Sequence, residues 1–312
     1  MHYMGFDIGG TSIKYGVLTG TGEIVLRDSF PTPENEEQIL HQMEQAFFLC
    51  RKQVSDIAGI GISSPGQMAE DGTLIVAGAI HSLYGVNLKK GLEKKAAIPV
   101  VIENDANCAA IAEQWIGNAR DCKNYICVVL GTGVGGGVVL NNHLYKGSHG
   151  LSGEFGFSII DGVPETGNIE DATLNYKDAV VLGLYNQYNL TRKALGLPMD
   201  ETIDARQIIA LNNADDPVAK KVLHKYYVDL STLFINIISF FDPDKIIVGG
   251  GISSNFQFIK ELNETFEEMF ARHESLANIG RDKMAKIVPA KLSNDAGLTG
   301  AAFLIHQKLQ NK

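Results

Sequence analysis

A duplicated α/β fold, two copies with a cleft between them, is the fold class this sequence predicts, and three observations predict it. Glycine-rich turns stand between strand-like runs in each half, Asp7-Ile8-Gly9-Gly10-Thr11 near the start and Leu130-Gly131-Thr132-Gly133-Val134-Gly135-Gly136-Gly137 in the middle. Each half opens with three strand-like runs and goes on to strands alternating with helical runs. At 312 residues the chain is longer than one hydrophobic core usually supports. The expected domains are an N-terminal α/β domain over 1–117 and a larger C-terminal one over 118–295, with a last helix over 296–312 packing back on the first.

In the first half, strands are expected from Tyr3, Ile13 and Ile24. A helix over Asn35–Lys52 follows, because Ile39, Leu40, Met43, Phe47 and Cys50 share one face at helical spacing. The apolar run Ile57–Ile62 is a strand that ends in the turn Ser63-Ser64-Pro65-Gly66. Pro99 introduces the strand Val100–Ile102, which runs to Glu103-Asn104-Asp105, and Ala106–Ile116 is a helix stopped by Gly117.

The second half repeats this opening with strand Tyr125–Leu130, a glycine turn, strand Val138–Leu140, an Asn141-Asn142 turn and strand His143–Lys146. Its longest helix has Asp216 as a cap and Pro217 in the first turn. Val222, Leu223, Tyr226, Leu230, Leu233, Ile237 and Phe241 then recur at helical spacing, until Asp242-Pro243 ends it. Trp115 and the Tyr226/Phe234/Phe241 series read as core. Lys245–Val248 is a buried strand, Gly249-Gly250-Gly251 turns into a helix near Ser253, and a last helix covers Leu298–Leu309 after Asp295-Ala296-Gly297. The stretch Asp161–Ala214 fits no repeat and reads as a lobe inserted in the second domain.

Composition narrows the function. With 45% hydrophobic and 20% charged residues the chain is globular, and its net charge of −9, with no Lys/Arg cluster, argues against nucleic acid. No apolar run approaches the roughly 20 residues that span a bilayer, and the first strand begins directly after Met1-His2, so a cytoplasmic protein without a leader or membrane anchor is expected. Cys50, Cys108, Cys122 and Cys127 lack the paired spacing of metal ligands and read as free buried thiols.

A strand–turn–strand hairpin with no side chains at its bend lets backbone N–H groups close on a phosphate. Two such hairpins, one per half, can hold the two ends of one polyphosphate, which points to a nucleotide-dependent phosphotransferase. Gly131-x-Gly133-x-x-Gly136 also satisfies the dinucleotide fingerprint, but a helix must follow that fingerprint, and here Val138-Val139-Leu140 reads as a strand.

Asp105 stands between a strand and a helix, where active-site residues of open α/β sheets collect. The residues alone leave helix cap and catalytic base both open, and a helix N-terminus favours the carboxylate that either role needs. Asp7, last in its strand before the first glycine turn, is placed to hold Mg²⁺ through water or to stabilise the turn. Thr11, Lys14 and Thr132 bring donors to the same turns, and Lys14 reads equally as surface. Glu154, in the loop His149–Phe157, is either a ligand for adjacent sugar hydroxyls or solvated surface. Gly249-Gly250-Gly251 permits close approach by a flat ring or serves as a tight connection.

In these segments the chain resembles the ROK family of sugar kinases and repressors, within the actin/hexokinase/Hsp70 superfamily with its ribonuclease H-like domains, over nearly its whole length. Asp7-Ile8-Gly9-Gly10-Thr11 is similar to the family's first phosphate motif, Glu103-Asn104-Asp105-Ala106-Asn107 to its catalytic segment and Leu130–Gly137 to its second phosphate motif. His149–Gly156 resembles the sugar loop and Ile247-Val248-Gly249-Gly250-Gly251-Ile252 the adenosine motif. The resemblance implies ATP-Mg²⁺ phosphorylation of a sugar hydroxyl. Asp105 would be the base, with Asn104, Glu154 and Gly66 around the sugar. Gly9, Gly10, Thr11, Lys14, Gly131, Thr132, Gly133 and Gly249–Gly251 would be on the nucleotide, and Asp7 on the metal. It also implies a cleft that closes on substrate, and a homodimer.

Two departures matter. Most members continue the loop as Gly-His and then a CxCGxxGC cluster that binds structural zinc; here Phe157 replaces the His and the cluster is missing, so no zinc site is expected. Glu170 is a loose match to a sugar-contacting Glu after that cluster. The aromatic after Gly-Glu-Phe-Gly, with Thr173-Leu174-Asn175 nearby, is similar to the bacterial β-glucoside kinases of the family, which phosphorylate the 6-hydroxyl of the non-reducing glucose of cellobiose-like sugars. N-acetylmannosamine kinase and glucokinase are the alternatives within the family, and a non-catalytic sugar sensor or transcriptional regulator is the alternative outside catalysis.

Overall fold

The protein, seen in a computed structural model that describes residues 1–310, folds into two compact units. Residues 311 and 312 of the expected last helix lie outside the described residues. One unit comprises Met1–Asp121, Gly137–Ser152 and the chain from Asn294 onward; the other comprises Cys122–Gly136 and Gly153–Ser293.

In the first unit β1 (His2–Ile8), β2 (Ser12–Thr19), β3 (Ile24–Pro31), β4 (Ile57–Ser64) and β5 (Val100–Asn104) form a sheet of order β3-β2-β1-β4-β5. The first three strands are antiparallel neighbours, while β4 and β5 run parallel to β1. Period-2 alternation sends Met4 and Phe6 to one face and Tyr3 to the other. The first face is covered by α1 (Glu36–Gln53) and α2 (Leu88–Ala96), whose Ile39, Met43, Phe47, Leu88 and Leu92 join its core. Asn35 caps α1, with its side chain accepting from the Gln38 N–H.

The opposite face receives α10 (Ala296–Gln310), whose Leu298, Ala302 and Ile305 pack with Tyr3 and Leu18. Sequence pattern explains how close this helix comes. In Met4-Gly5-Phe6 and Gly59-Ile60-Gly61-Ile62 the bulky residues line one face of the sheet and glycines the other. A Cβ on Gly5 would overlap the Leu298 carbonyl, and one on Gly61 the Ala301 carbonyl. Gly300 on α10 lies equally tight against the Cys108 carbonyl of α3 (Asp105–Trp115).

The second sheet holds β6 (Tyr125–Leu130), β7 (Val134–Leu140), β8 (His143–Leu144), β9 (Lys245–Gly249) and β10 (Lys286–Pro289), in the order β10-β9-β6-β7-β8. Read from β8, its strands come third, second, first, fourth, fifth, the order of the first sheet. The duplication expected from the two βββ openings is therefore present strand for strand. Helix α7 (Pro217–Phe241) is capped by Asp216, which accepts from the Ala219 N–H at 2.8 Å, and it ends at Asp242 in the left-handed conformation. It buries Tyr226 and Phe234 as expected, whereas Phe241, next to that end, is only half-buried.

Some elements differ from expectation. The strand expected over His143–Lys146 stops at Leu144; the Tyr145 N–H still bonds to the Val138 carbonyl in register, and beyond it the Lys146 side chain pairs with Glu103. The helix expected near Ser253 begins as a single tight turn over Gly251–Ser254; α8 (Phe256–Arg272) starts afresh with Asn255 as its cap, and the short α9 (Glu274–Ile279) follows it. The stretch Asp161–Ala214 contains three helices, α4 (Leu174–Asp178), α5 (Gly183–Ala194) and α6 (Ala205–Asn213). Residues 137–152, read from sequence as part of the second domain, belong with the first unit. Gly137 lies against Ala106 and Ala110 of α3 where a side chain would clash, and Gln114 donates to the Asn142 carbonyl.

Candidate active site

The first unit gathers its candidate residues at the ends of β1, β4 and β5. Parallel strands leave their C-terminal ends together, and ligands of open α/β sheets bind there. Asp7, near the end of β1, is opposite Lys14 on β2 and Ser63 on β4. The Ser63 hydroxyl donates to Asp7 Oδ1 at 2.7 Å, and Gly297 in the first turn of α10 sits where any Cβ would strike the carboxyl. Burial pushes the Asp7 carboxyl above its ordinary range; the Ser63 bond and the Lys14 charge pull it back, and Asp295 pushes it up again. Lys14 donates to the Asn294 carbonyl at 3.2 Å, so its side chain spans this corner rather than lying loose on the surface. The Gly9-Gly10-Thr11 turn is closed by the Gly9 N–H on the Ser12 carbonyl at 3.0 Å; Gly10 and Thr11 are exposed.

At β5 the structure shows which residue caps α3 and so decides the cap reading of Asp105. Asn104 Oδ1 accepts from the Ala106 and Asn107 N–H groups at 2.9 and 3.1 Å, which makes Asn104 the cap of α3. Its Nδ2 donates to the Gly66 carbonyl at 2.9 Å and ties in the Ser64-Pro65-Gly66 turn. Gly66 has φ +88°, and a Cβ there would overlap the Val76 carbonyl, so only glycine fits. Asp105 is thus the first residue of the helix proper, exposed, with Oδ1 on the Ala106 N–H at 2.8 Å. Capping is done by its neighbour.

Beneath this pair lies Glu103, only 3% exposed. Its carboxylate accepts from the Asn104 N–H at 2.9 Å and from Asn107 Nδ2 at 3.0 Å, and pairs with the Lys146 ammonium. Sequence reasoning assigned no role to Glu103, Ser63 or Lys146. A charge inside the apolar run of β5 is a legible sign of a buried ion pair, but nothing in the sequence points to Lys146 as its partner.

The second unit places its glycine turns side by side. The strands β6 and β9 are parallel, with Val129 opposite Gly249, so the turns after Leu130 and Gly249 emerge at the same edge. Gly250, at φ +88°, presses its backbone onto the Leu130 carbonyl, where any Cβ would overlap. Gly131 N–H closes on the Gly133 carbonyl at 2.9 Å, and Thr132 is exposed at the tip. Because β7 follows this turn, the dinucleotide fingerprint lacks its helix.

Glu154 is half-buried at the start of a tight turn over Phe155–Phe157; Phe155 is buried and Phe157 faces outward, 58% exposed. Glu170 is exposed on the turn Ile169–Ala172, where its carboxylate meets Asn168 at 3.5 Å. Among the described residues no group of three or more His, Cys, Asp or Glu side chains is placed to hold a metal ion, and the four cysteines are buried and form no disulfide. No helix among them is long and apolar enough to cross a membrane.

One buried cluster in this unit uses charge differently. Asp178 and Asp229, 2% and 3% exposed, face each other with Lys225 Nζ 2.5 Å from both Asp229 oxygens. Burial drives Asp178 up to about 8, and the neighbouring Asp229 adds to this, against the pull of Lys225 and Lys177. Asp229 is raised too, by burial, with Lys225 opposing. A carboxyl protonated in the fold but ionised in the unfolded chain makes folding take up a proton. Its contribution to stability is complete below the ordinary 3.8 and is lost as pH rises towards 8. Asp178→Asn should therefore flatten the fall in Tm between pH 5 and pH 8 relative to the wild type, as read by thermal melts at fixed ionic strength; parallel curves would refute it.

Set beside known proteins, this arrangement has full-length relatives. The model of the ROK family matches residues 3–308. The chain belongs to the ROK family. This ROK protein is 37% identical to a β-glucoside kinase of Listeria innocua over 97% of each chain. Its structure is similar to that of a ROK hexokinase from Thermus thermophilus, at TM-score 0.85 and 26% identity with both chains fully covered. A ROK family glucokinase from Streptomyces griseus, solved with glucose and AMPPNP, matches at TM-score 0.74 and 28% identity over 97% of this chain and 99% of that one. The duplicated sheets are thus those of the actin/hexokinase-like fold, and the protein is a ROK sugar kinase.

Proposed function

We propose that this ROK sugar kinase transfers the γ-phosphoryl group of ATP to the 6-hydroxyl of a glucosyl unit, with a β-glucoside such as cellobiose as its substrate class. The observation that carries the substrate class is the full-length likeness to a β-glucoside kinase. The outward-facing Phe157, on the turn that Glu154 begins, supports it by offering a flat apolar face to a sugar ring.

In this reading Asp105 accepts the proton of the sugar hydroxyl as the O–P bond forms and the bond to ADP breaks; the proton then passes to solvent. Asp105 stands at the N-terminus of α3, where the helix dipole favours a negative charge. Asn104, held by the cap bonds and the Gly66 carbonyl, Gly66 itself, Glu154 and Glu170 contact the sugar. Gly9, Gly10, Thr11, Lys14, Gly131–Gly133 and Gly249–Gly251 are the proposed N–H and side-chain donors to the nucleotide. Asp7 fits Mg²⁺ through water: it is a hard oxygen donor whose charge burial disfavours, so a cation nearby is compensating. When bound, the ion neutralises charge on the phosphates.

Sugar-stimulated ADP release tests the kinase reading, and kcat/KM for cellobiose, glucose and N-acetylmannosamine tests the substrate class. Cellobiose is expected to lead. A preference for either monosaccharide would move the protein to the glucokinase or N-acetylmannosamine kinase alternatives, and ADP release unmoved by any sugar would leave a sensor.

A further inference from the structure

The second glycine turn has Thr132 as its one polar side chain, exposed at the tip, and fixing glycine backbone is costly in entropy. Apart from the Gly131–Gly133 bond, its fastenings come from a distant segment. Asn175 on α4 accepts the Val134 N–H through Oδ1 at 2.9 Å, and the Gly131 carbonyl accepts from the Val180 N–H at 2.9 Å. A Cβ on Gly133 would come 2.9 Å from the same Asn175 Oδ1. The Phe155–Phe157 turn closes on this point from the other side: a Cβ on Gly156 would strike the Val134 carbonyl and lie 3.0 Å from Asn175 Cβ. One exposed side chain thus touches both the proposed phosphate turn and the proposed sugar turn.

The helix that carries Asn175 is itself anchored. Thr173 caps it and donates to the Glu170 carbonyl at 2.7 Å, Leu174 is buried at one end, and Asp178 meets Asp229 at the other.

We propose that Asn175 is a positioning residue, which locks the Gly131–Val134 turn to the Gly153–Phe157 loop so that the phosphate-binding and sugar-binding segments of the second unit hold one geometry. The proposal rests on the kinase reading above for its effect on turnover, but the lock is a feature of the protein alone. An amide oxygen on a short side chain reaches one backbone N–H with little freedom, and misplacing reacting groups by an ångström can cost about 10²-fold in rate.

Three substitutions, one of them also in combination, test it by kinetics, melting and hydrogen exchange. Asn175→Ala removes the acceptor and is expected to lower kcat/KM for ATP at least ~10-fold, with Tm close to wild type because the residue is exposed. Hydrogen exchange at the Val134 amide should quicken in the same variant. Asn175→Asp keeps an acceptor for Val134 and should restore slow exchange and most of kcat, while its added charge keeps KM for ATP high. Gly133→Ala places a methyl against Oδ1, so combining it with Asn175→Ala should cost less than the two losses added together. Wild-type exchange at Val134 in Asn175→Ala, or normal kcat/KM for ATP in that variant, would overturn the proposal, as would Asn175→Asp behaving like Asn175→Ala in exchange. If the wild-type protein phosphorylates no sugar the kinase reading fails, and the exchange measurement still decides whether Asn175 holds the turn.

Discussion

Asp105→Asn should lower kcat by about 10²–10⁴-fold while leaving KM for sugar and ATP within about threefold of wild type. The amide has the shape of the carboxylate and cannot take a proton at neutral pH, so the substitution removes the base and little else. Structure makes this a clean experiment, because Asn104 and not Asp105 caps α3. Helix α3 keeps both of its capping bonds in the variant, while the favourable charge at the helix N-terminus, about 0.3–1 kcal/mol, is lost. A Tm near that of the wild type together with a collapsed kcat is the expected pair of results. Retained kcat would remove Asp105 from the mechanism, because a loose phosphoryl-transfer transition state can also be served by alignment and cations alone.

Gly61→Ala should destabilise the protein by about 3 kcal/mol or more, at the upper end of the cost of overpacking a core. Its new methyl would overlap the carbonyl group of Ala301, and backbone inside a helix cannot rotate away as a side chain can. The sheet and α10 must separate instead. The displacement would reach the site, because Gly297 of the same helix lies against the Asp7 carboxyl and Gly300 against Cys108 of α3. Urea unfolding followed by circular dichroism measures the loss, with Gly162→Ala, where nothing lies within 4 Å, as the matched control. Equal midpoints for the two variants would show that the helix docks less tightly than these contacts require.

Much of the architecture was legible because local chemistry specifies it. Asp216 caps its helix through an N–H three residues away, as its sequence window shows, whereas Asn35 proved to be a cap outside its helix and Asn104 the cap beside Asp105. The motif residues were legible for a related reason: glycines that must lie against a neighbouring backbone, such as Gly66 and Gly250, leave a recognisable pattern. Helix α2 was not expected, since Lys-rich Leu88–Ala96 shows only Leu88, Leu92 and Ala96 as a narrow apolar stripe. The short helix α4 was hidden among loops for want of length.

The pairings across the chain were not legible. Glu103 stood in a recognised motif, yet its partner Lys146 lies 43 positions on and leaves no mark of its own. Asn175 stood near a motif with no visible tie to the glycine turn 41 residues earlier. The caps, the alternation of β1 and β4 and the order of the glycine motifs follow from interactions within a few residues of each other, and these the chain carries in its letters. Which carboxyl is buried, which side chain closes a distant turn and which of Asn104 and Asp105 faces solvent depend on how long loops close and what packs over them. That information exists only once the sheets and helices have come together.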